Sequence, residues 1–278
     1  MSMKDQNSSS LAANSPELRL RVQDLSIEFG GLKALSDFSC ELYHGELVGL
    51  IGPNGAGKTT AFNLLSGIYS PSAGQIEFRD RKNYTHFVKG FDPARLNRLG
   101  IARTFQNIRL FTKLSVEDNI RIALHSNRVS SPLDALLRLK RFRNDEKRMR
   151  DRAFELLTLF KIGQKKDELA MNLPYGEQRK LEIARALASN PCLLLLDEPA
   201  AGMNPQETEE LMKTISFIKD EFRLTILLIE HDMRLVMGIC KRLLVLDYGR
   251  IIATGTPEEI KQNPAVIKAY LGTEAVNG

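Results

Sequence analysis

The chain has 278 residues, of which 43% are hydrophobic and 26% are charged, and its formal net charge is +5. These values are ordinary for a globular protein of one large domain or two small ones. The modest positive charge does not demand a nucleic acid, and we predict no nucleic-acid partner. The longest apolar runs, at residues 193–196 and 224–229, are far shorter than the roughly eighteen residues of a membrane-spanning helix.

The N-terminal residues are polar, rich in Ser and Asn, and lack the apolar segment of a signal peptide. We therefore predict a disordered tail over residues 1–16 and a cytosolic protein that reaches a membrane only through a partner. Cys40, Cys192 and Cys240 lie far apart in apolar segments without zinc-ligand spacing. They are predicted to be buried free thiols in a reducing compartment.

Residues 19–29 alternate apolar and polar side chains, which predicts a half-buried strand. A short apolar run at residues 46–51 leads into a glycine-rich turn, and a helical pattern follows at residues 59–66. Residues 74–79 predict another strand. The first part of the chain is thus expected to combine a small antiparallel sheet with a strand–loop–helix unit.

The segment from about residue 107 to 188 is rich in Leu, Arg and Lys at helical spacing. It predicts a helical subdomain inserted into an α/β chain. The basic face of these helices is interpreted as a solvated helix face, with a membrane-proximal role as the alternative.

Two unbroken apolar runs, at residues 192–196 and 224–229, are typical of strands that are buried on both faces of a parallel sheet. A helix is predicted between them, over residues 207–219. Tyr248-Gly249 is predicted to form a hairpin turn. A helical tail is predicted over residues 258–278.

The stretch that begins at Gly52 fits the pattern G-x-x-x-x-G-K-[ST] and lies between a predicted strand and a predicted helix. Its glycines let backbone N–H groups turn toward phosphate oxygens, and the helix N-terminus favours negative charge. Lys58 is expected to reach the β- and γ-phosphates of ATP, and Thr59 to bind Mg²⁺. The predicted ATP contacts here are Gly52, Pro53, Asn54, Gly55, Ala56, Gly57, Lys58, Thr59 and Thr60.

The second motif is a pair of acidic residues, Asp197-Glu198, which directly follows the leucine run at residues 193–196. Side chains at the carboxyl end of a parallel strand are placed to meet a ligand. We predict that Asp197 holds the Mg²⁺ shell and that Glu198 polarises the attacking water. The alternative, two solvated loop acids, is disfavoured by the nearby phosphate loop.

Two further side chains are candidates for the same site. His231 ends the next buried strand, at the same predicted sheet edge as Asp197, and could bond the γ-phosphate and hold the attacking water. Gln106 closes the α/β part just before the helical segment. Its amide is predicted to contact Mg²⁺ and water while its loop responds to a partner.

The order of these motifs resembles the nucleotide-binding subunit of ATP-binding cassette transporters. The resemblance runs from about residue 17 to 259 and includes the stretch 173–179 that leads into a helix. It implies a P-loop NTPase cassette over residues 17–257, with an antiparallel β subdomain and the inserted helical subdomain. It also implies that Phe29 stacks on adenine, although Phe29 alone could equally be a core residue.

Two departures from the family pattern stand out. The family signature has Ser-Gly-Gly-Gln where this chain has Pro174, Tyr175, Gly176 and Glu177. The resemblance implies that Tyr175, Gly176 and Glu177 face ATP bound to an opposing subunit, here without the serine hydroxyl. The family also usually has aspartate at the position of Asn204.

Three stretches of the sequence are most similar to the ATPases of branched-chain amino acid importers: LPYGEQRKLEIARAL, DEPAAGMNP and IEHDMR. This implies an ATP-hydrolysing, Mg²⁺-dependent motor on the cytoplasmic face of the plasma membrane. The implied partners are transmembrane permease subunits, a second cassette subunit of the same or a similar kind and, indirectly, a periplasmic solute-binding protein. The alternatives are urea or short-chain amide uptake, lipopolysaccharide export, a soluble cassette ATPase of DNA repair or translation, and a nucleotide kinase.

Overall fold

The computed structural model of the chain describes residues 16–125, 134, 137 and 139–274. The predicted disordered tail lies outside the described residues except for Pro16. The last four residues of the predicted helical tail also lie outside them. Within the described ranges, no helix is long and apolar enough to cross a membrane.

One sheet has four antiparallel strands, which pair in the order β2-β1-β4-β5. Alternation of buried and exposed side chains in the first strand places one face of this sheet on a core and leaves the other in solvent. The predicted antiparallel sheet is therefore present, with two strands that the sequence analysis did not identify, β2 and β5. The four strands are β1 (Leu18–Phe29), β2 (Leu32–Tyr43), β4 (Ala73–Arg79) and β5 (Thr85–Phe87).

The second sheet has six strands in the order β10-β9-β3-β8-β7-β6, and all neighbours are parallel except β10 and β9. Its central strands β3, β7 and β8 are buried at every residue, as the unbroken apolar runs predict. Their carboxyl ends lie at one edge of the sheet. The six strands are β3 (Leu47–Ile51), β6 (Ile101–Arg103), β7 (Leu193–Asp197), β8 (Thr225–Ile229), β9 (Arg242–Asp247) and β10 (Arg250–Gly255).

Five of the described helices begin with a residue whose side chain caps the helix. Asn204, for example, accepts hydrogen bonds from two backbone N–H groups at the start of its helix and forms a capping box with Glu207. The residue that replaces the family's aspartate is thus a helix cap. The helices are α1 (Lys58–Leu65), α2 (Pro93–Leu99), α3 (Val116–Leu124), α4 (Lys140–Leu159), α5 (Tyr175–Ala188), α6 (Pro205–Glu221), α7 (Met233–Ile239), α8 (Pro257–Gln262) and α9 (Pro264–Glu274).

The six-stranded sheet separates two apolar cores. Leu194 and Leu196 of β7 pack on the side of α3 to α7, whereas Leu193 and Leu195 pack on the side of α1 and the antiparallel sheet. The three cysteines are buried free thiols, as predicted.

The α/β class, with a glycine-rich loop between β3 and α1, is confirmed, and so is the helical character of the described parts of the segment 107–188. The described helices of that segment are α3, α4 and α5. β6, α2 and α7 were not predicted, because a three-residue strand and seven-residue helices are too short to show a period. The division of the chain into domains at residues 17, 107, 188 and 257 stays a prediction.

Candidate functional site

The glycine-rich loop between β3 and α1 is packed so closely that two of its glycines cannot be replaced without strain. Gly52 has φ +151°, and a Cβ there would lie 2.0 Å from the carbonyl oxygen of Leu246. Gly57 has φ +104°, and a Cβ there would lie 2.8 Å from the oxygen of Ala34. The loop is therefore packed against β9 and β2, and its backbone amides lie at the start of α1.

Lys58 is the first residue of α1, and its side chain folds over the loop. Its Nζ donates hydrogen bonds to the carbonyl oxygens of Gly52 at 2.7 Å and Pro53 at 2.9 Å. Burial lowers the pKa of Lys58, and the nearby Glu198 carboxylate opposes that shift. A positive charge held here is suited to phosphate binding.

A cavity of about 430 Å³ opens beside this loop. It brings together most of the predicted loop residues with Gln106 and Glu198, which come from two other parts of the chain. The lining residues are Leu32, Lys33, Ala34, Asn54, Gly55, Ala56, Gly57, Lys58, Thr59, Thr60, Gln106, Glu198, Tyr248 and Gly249.

Glu198 follows β7 in an unusual backbone conformation, with φ +44°. Non-glycine residues adopt this left-handed region at a cost, and such conformations cluster at functional sites. The Glu198 Oε2 atom accepts a hydrogen bond from Nε2 of Gln106 at 2.8 Å. His231 Nδ1 lies 3.6 Å from the same oxygen. Gln106 and His231 therefore both approach the carboxylate of Glu198, so the three predicted catalytic side chains lie together.

Asp197, at the end of β7, is buried and paired with the guanidinium of Arg103 in β6, 2.8 Å from Oδ2. Arg103 also donates to Asn63 and Ser66 of α1, both at 2.8 Å. The predicted magnesium ligand is thus held by a cation that the sequence analysis did not identify. The predicted ligands Asp197, Thr59 and Gln106 each have a side-chain oxygen atom that could bind a metal ion, and Mg²⁺ prefers oxygen ligands.

Glu230 is a second buried carboxylate behind the site. Its Oε1 accepts from the backbone N–H of Ala200 at 2.8 Å, and its Oε2 accepts from those of His231 at 3.1 Å and Asp232 at 3.3 Å. Burial raises the pKa of Glu230, and these three hydrogen bonds act in the opposite direction. This side chain fixes the turn after Glu198 to the turn that carries His231.

Phe29 does not line the cavity. It is partly exposed at the end of β1, and its ring packs edge-on against Tyr69 with centroids 5.1 Å apart. Phe29 is therefore not a core residue, and its stacking on adenine stays a prediction. Tyr248, at the hairpin turn, does line the cavity and was not predicted to do so.

The predicted partner-facing residues lie at the start of α5, away from the cavity lining. The ring of Tyr175 approaches Gly202, and a Cβ on Gly176 would lie 3.0 Å from Oε1 of Glu207. Both oxygens of Glu177 accept hydrogen bonds from Lys165 Nζ, at 2.6 and 2.8 Å. The glutamate in the signature is therefore neutralised within its own subunit.

The sequence carried little sign of Arg103 and Glu230. Glu230 stands within a quoted motif, beside His231, and Arg103 lies three residues before Gln106. A charged residue that adjoins a buried strand is the signal that marks both. Their partners lie 94 and 30 residues away along the chain, a separation that local patterns do not encode.

Comparison with known proteins gives consistent results. A family model described as "ABC transporter" matches residues 35–201, and one described as "Branched-chain amino acid ATP-binding cassette transporter" matches residues 250–276. The high-affinity branched-chain amino acid transport ATP-binding protein LivG of Escherichia coli (strain K12) is 46% identical over 91% of this chain and 97% of LivG. The lipopolysaccharide export system ATP-binding protein LptB of the same strain is 35% identical, over 92% and 98%. A solved structure of the ADP conformation of an ATP-binding cassette of an ABC transporter is similar, with a TM-score of 0.78 and 31% identity over 92% of this chain and 99% of that one.

Proposed function

Because this chain belongs to the ATP-binding cassette family of transporter subunits, we propose that it is the ATP-hydrolysing motor of an importer for branched-chain amino acids. The observation that carries the proposal is the single cavity in which the phosphate loop meets Gln106 and Glu198. A carboxylate that lines the same cavity as the loop supports a role in hydrolysis of the phosphate that the loop would bind.

In this proposal, the loop amides and Lys58 bind the phosphates, and Glu198 accepts a proton from the attacking water. Gln106 and His231 orient the carboxylate and the water. Mg²⁺, held by Thr59, Asp197 and Gln106, would neutralise charge on the phosphates when it is bound with ATP. Phe29, with Tyr69 beside it, is the proposed adenine contact.

The site is proposed to be completed by a second cassette subunit. Tyr175 is partly exposed at the start of α5, next to Gly176, so this edge is accessible to a partner. The N-terminus of a fourteen-residue helix favours a phosphate group, and Lys165 offsets the charge of Glu177. These features support ATP binding between two subunits.

An apolar patch near Gln106 is the proposed contact with a permease subunit. It consists of Phe111, Leu114, Leu169 and Met171, each more than a third exposed. Backbone hydrogen bonds from Ala170 to Leu114 and from Met171 to Thr112 hold its two segments together. A solvent-exposed apolar cluster of this kind is suited to a protein partner. Through that contact the chain is proposed to sit at the cytoplasmic face of the plasma membrane, with a periplasmic solute-binding protein as an indirect partner.

The substrate assignment depends on the relatives, since solute is selected by other subunits. The family model matched at residues 250–276 is the one described for branched-chain amino acids, and LivG is more similar to this chain than LptB is. Uptake of urea or short-chain amides and export of lipopolysaccharide are the alternatives.

Transport assays test the proposal. A strain of the source organism that lacks this chain should lose uptake of radiolabelled leucine, isoleucine and valine. Wild-type chain should restore uptake, and the Glu198→Gln variant at equal abundance should not. Loss of urea or amide uptake alone would indicate the first alternative. Unchanged uptake of all these solutes would contradict the importer proposal.

A further inference from the structure

Arg179, on α5, is one of the most completely buried charged side chains among the described residues. Its side chain is 0% exposed, and its charge is balanced by Glu182, one turn further along, at 2.7 Å. Glu182 is also buried, and its second oxygen accepts from the backbone N–H of Arg109 at 3.2 Å. A buried ion pair is costly to desolvate, so apolar residues would stabilise this helix at least as well.

The guanidinium reaches out of its helix into the loop that carries Gln106. NH1 donates to the carbonyl oxygen of Phe105, and NH2 donates to that of Gln106, both at 2.7 Å. NH2 also lies 3.5 Å from the carbonyl oxygen of Glu198. One nitrogen therefore contacts the main chains of two residues whose side chains are hydrogen-bonded to each other.

The same nitrogen lies 3.4 Å from the phenol oxygen of Tyr175, four residues earlier on α5. Tyr175 is partly exposed at the helix start, whereas the Gln106 and Glu198 main chains belong to the α/β part of the molecule. Arg179 thus connects three segments: the start of α5, the Gln106 loop and the turn after β7.

We propose that Arg179 is a positioning residue for ATP hydrolysis, which sets the spacing of Gln106 and Glu198 and ties that spacing to the orientation of α5. This inference rests on the proposed function, because it takes Glu198 as the base. The planar fork of arginine presents donors on two separate nitrogens in fixed directions, whereas the ammonium of lysine carries its donors on one rotating nitrogen. Within the described part of the chain, none of the hydrogen bonds of Arg179 reaches the phosphate loop, so we expect it to act on turnover and not on ATP affinity.

The test is the purified full chain with Arg179→Lys, assayed for ATP turnover and for binding of a fluorescent ATP analogue. Misplacement of catalytic groups by about 1 Å costs about 100-fold in rate. We expect kcat to fall about 10- to 100-fold while KM for ATP and analogue binding stay within about twofold of wild type. The neighbouring variant Lys180→Met, which removes the surface pair with Glu210, should leave kcat unchanged.

A second variant separates positioning from folding. Arg179→Met combined with Glu182→Met removes both charges together, so no unpaired charge is left buried. The carbonyl oxygens of Phe105 and Gln106 and the N–H of Arg109 still lose these partners, so we expect a Tm below wild type but above that of Arg179→Met alone, while kcat stays as low as in Arg179→Lys. Wild-type turnover in this variant or in Arg179→Lys would overturn the inference, and so would an equal loss of ATP binding. If wild-type chain and Glu198→Gln turned over ATP equally, the role of Glu198 in the proposed function would fail instead, and His231 would become the leading candidate for the base.

Discussion

The amide of Gln106 donates a hydrogen bond to the carboxylate of Glu198 at 2.8 Å, which joins the loop after β6 to the turn after β7. Gln106 lies five residues before Phe111, the first member of the apolar patch. A partner that moves the patch would therefore move a side chain that touches the proposed base. In the proposed function, this contact would carry a movement of the permease subunit to the site of hydrolysis.

Replacement of Glu198 by Gln should separate ATP binding from hydrolysis. The amide can still accept the hydrogen bond from Gln106 but cannot take a proton from water. We expect kcat to fall by about 100-fold or more, as loss of a general base typically does. ATP binding, measured with a fluorescent analogue, should be retained because Lys58 and Asp197 are untouched. Wild-type turnover would leave His231 as the leading candidate for the base.

Replacement of Lys58 by Ala should abolish ATP binding and leave the protein folded. The variant loses two hydrogen bonds, to Gly52 and Pro53, which stabilise the native state by roughly 1 kcal/mol each. The positive charge that faces phosphate is lost completely. Nucleotide binding and circular dichroism check both parts, with the surface variant Lys213→Ala as control. Near-normal ATPase activity would contradict the phosphate-loop assignment.

Two glycines of the loop should differ sharply in their tolerance of alanine. Both Gly52 and Gly55 have positive φ, but a Cβ on Gly52 would lie 2.0 Å from a backbone oxygen, whereas a Cβ on Gly55 meets nothing within 4 Å. Gly55→Ala should cost about 1–2 kcal/mol from backbone strain alone. Gly52→Ala should cost more than about 4 kcal/mol or prevent folding. Urea unfolding of the two variants measures the difference, and equal costs would show that the loop is not packed as described.

The apolar patch should be the part of the chain closest to a permease subunit. A cysteine introduced by Phe111→Cys should crosslink to membrane subunits, and one introduced by Tyr84→Cys, just before β5 of the antiparallel sheet, should not. The native thiols should stay silent, because burial raises the pKa of Cys40 and of Cys240 to about 12 and keeps them protonated. Crosslinking confined to Tyr84→Cys would argue against the proposed docking surface.

Much of this fold could be predicted because it depends on local signals. The unbroken apolar runs of β7 and β8 identify strands buried on both faces, and the glycine pattern identifies the loop before α1. Parallel strands in one sheet bring their carboxyl ends to one edge, so the meeting of Glu198 with His231 also followed from the sequence.

The remainder could not be predicted because it depends on contacts between distant segments. The pair Arg103–Asp197 spans 94 residues and involves a three-residue strand without a readable period. Nothing local shows that Glu230 points inward to backbone amides and His231 outward, since the two are neighbours in sequence. The placement of Phe29 beside Tyr69 depends likewise on how β1 packs against the chain after α1.

The buried Glu230 provides a last prediction, on stability against pH. Burial raises the folded-state pKa of Glu230 above its ordinary value of 4.5, so the folded protein holds this proton to higher pH than the unfolded chain does. The free energy of unfolding should therefore fall as pH rises from about 4.5 to the raised pKa, by at most about 1.4 kcal/mol per pH unit from this group.

In Glu230→Gln this dependence should vanish. The NH₂ group of the new glutamine side chain can only donate, yet it must replace an oxygen that accepts from the backbone N–H of Ala200 or from those of His231 and Asp232. The variant should therefore be less stable by about 1–3 kcal/mol. Its deficit relative to wild type should be largest near pH 4.5 and smaller near pH 7, because wild type loses stability across that interval and the variant does not. Urea unfolding of both proteins at several pH values measures this difference. A deficit that stayed constant or grew with pH would show that Glu230 titrates alike in the folded and unfolded chains, or with a lowered pKa in the folded protein.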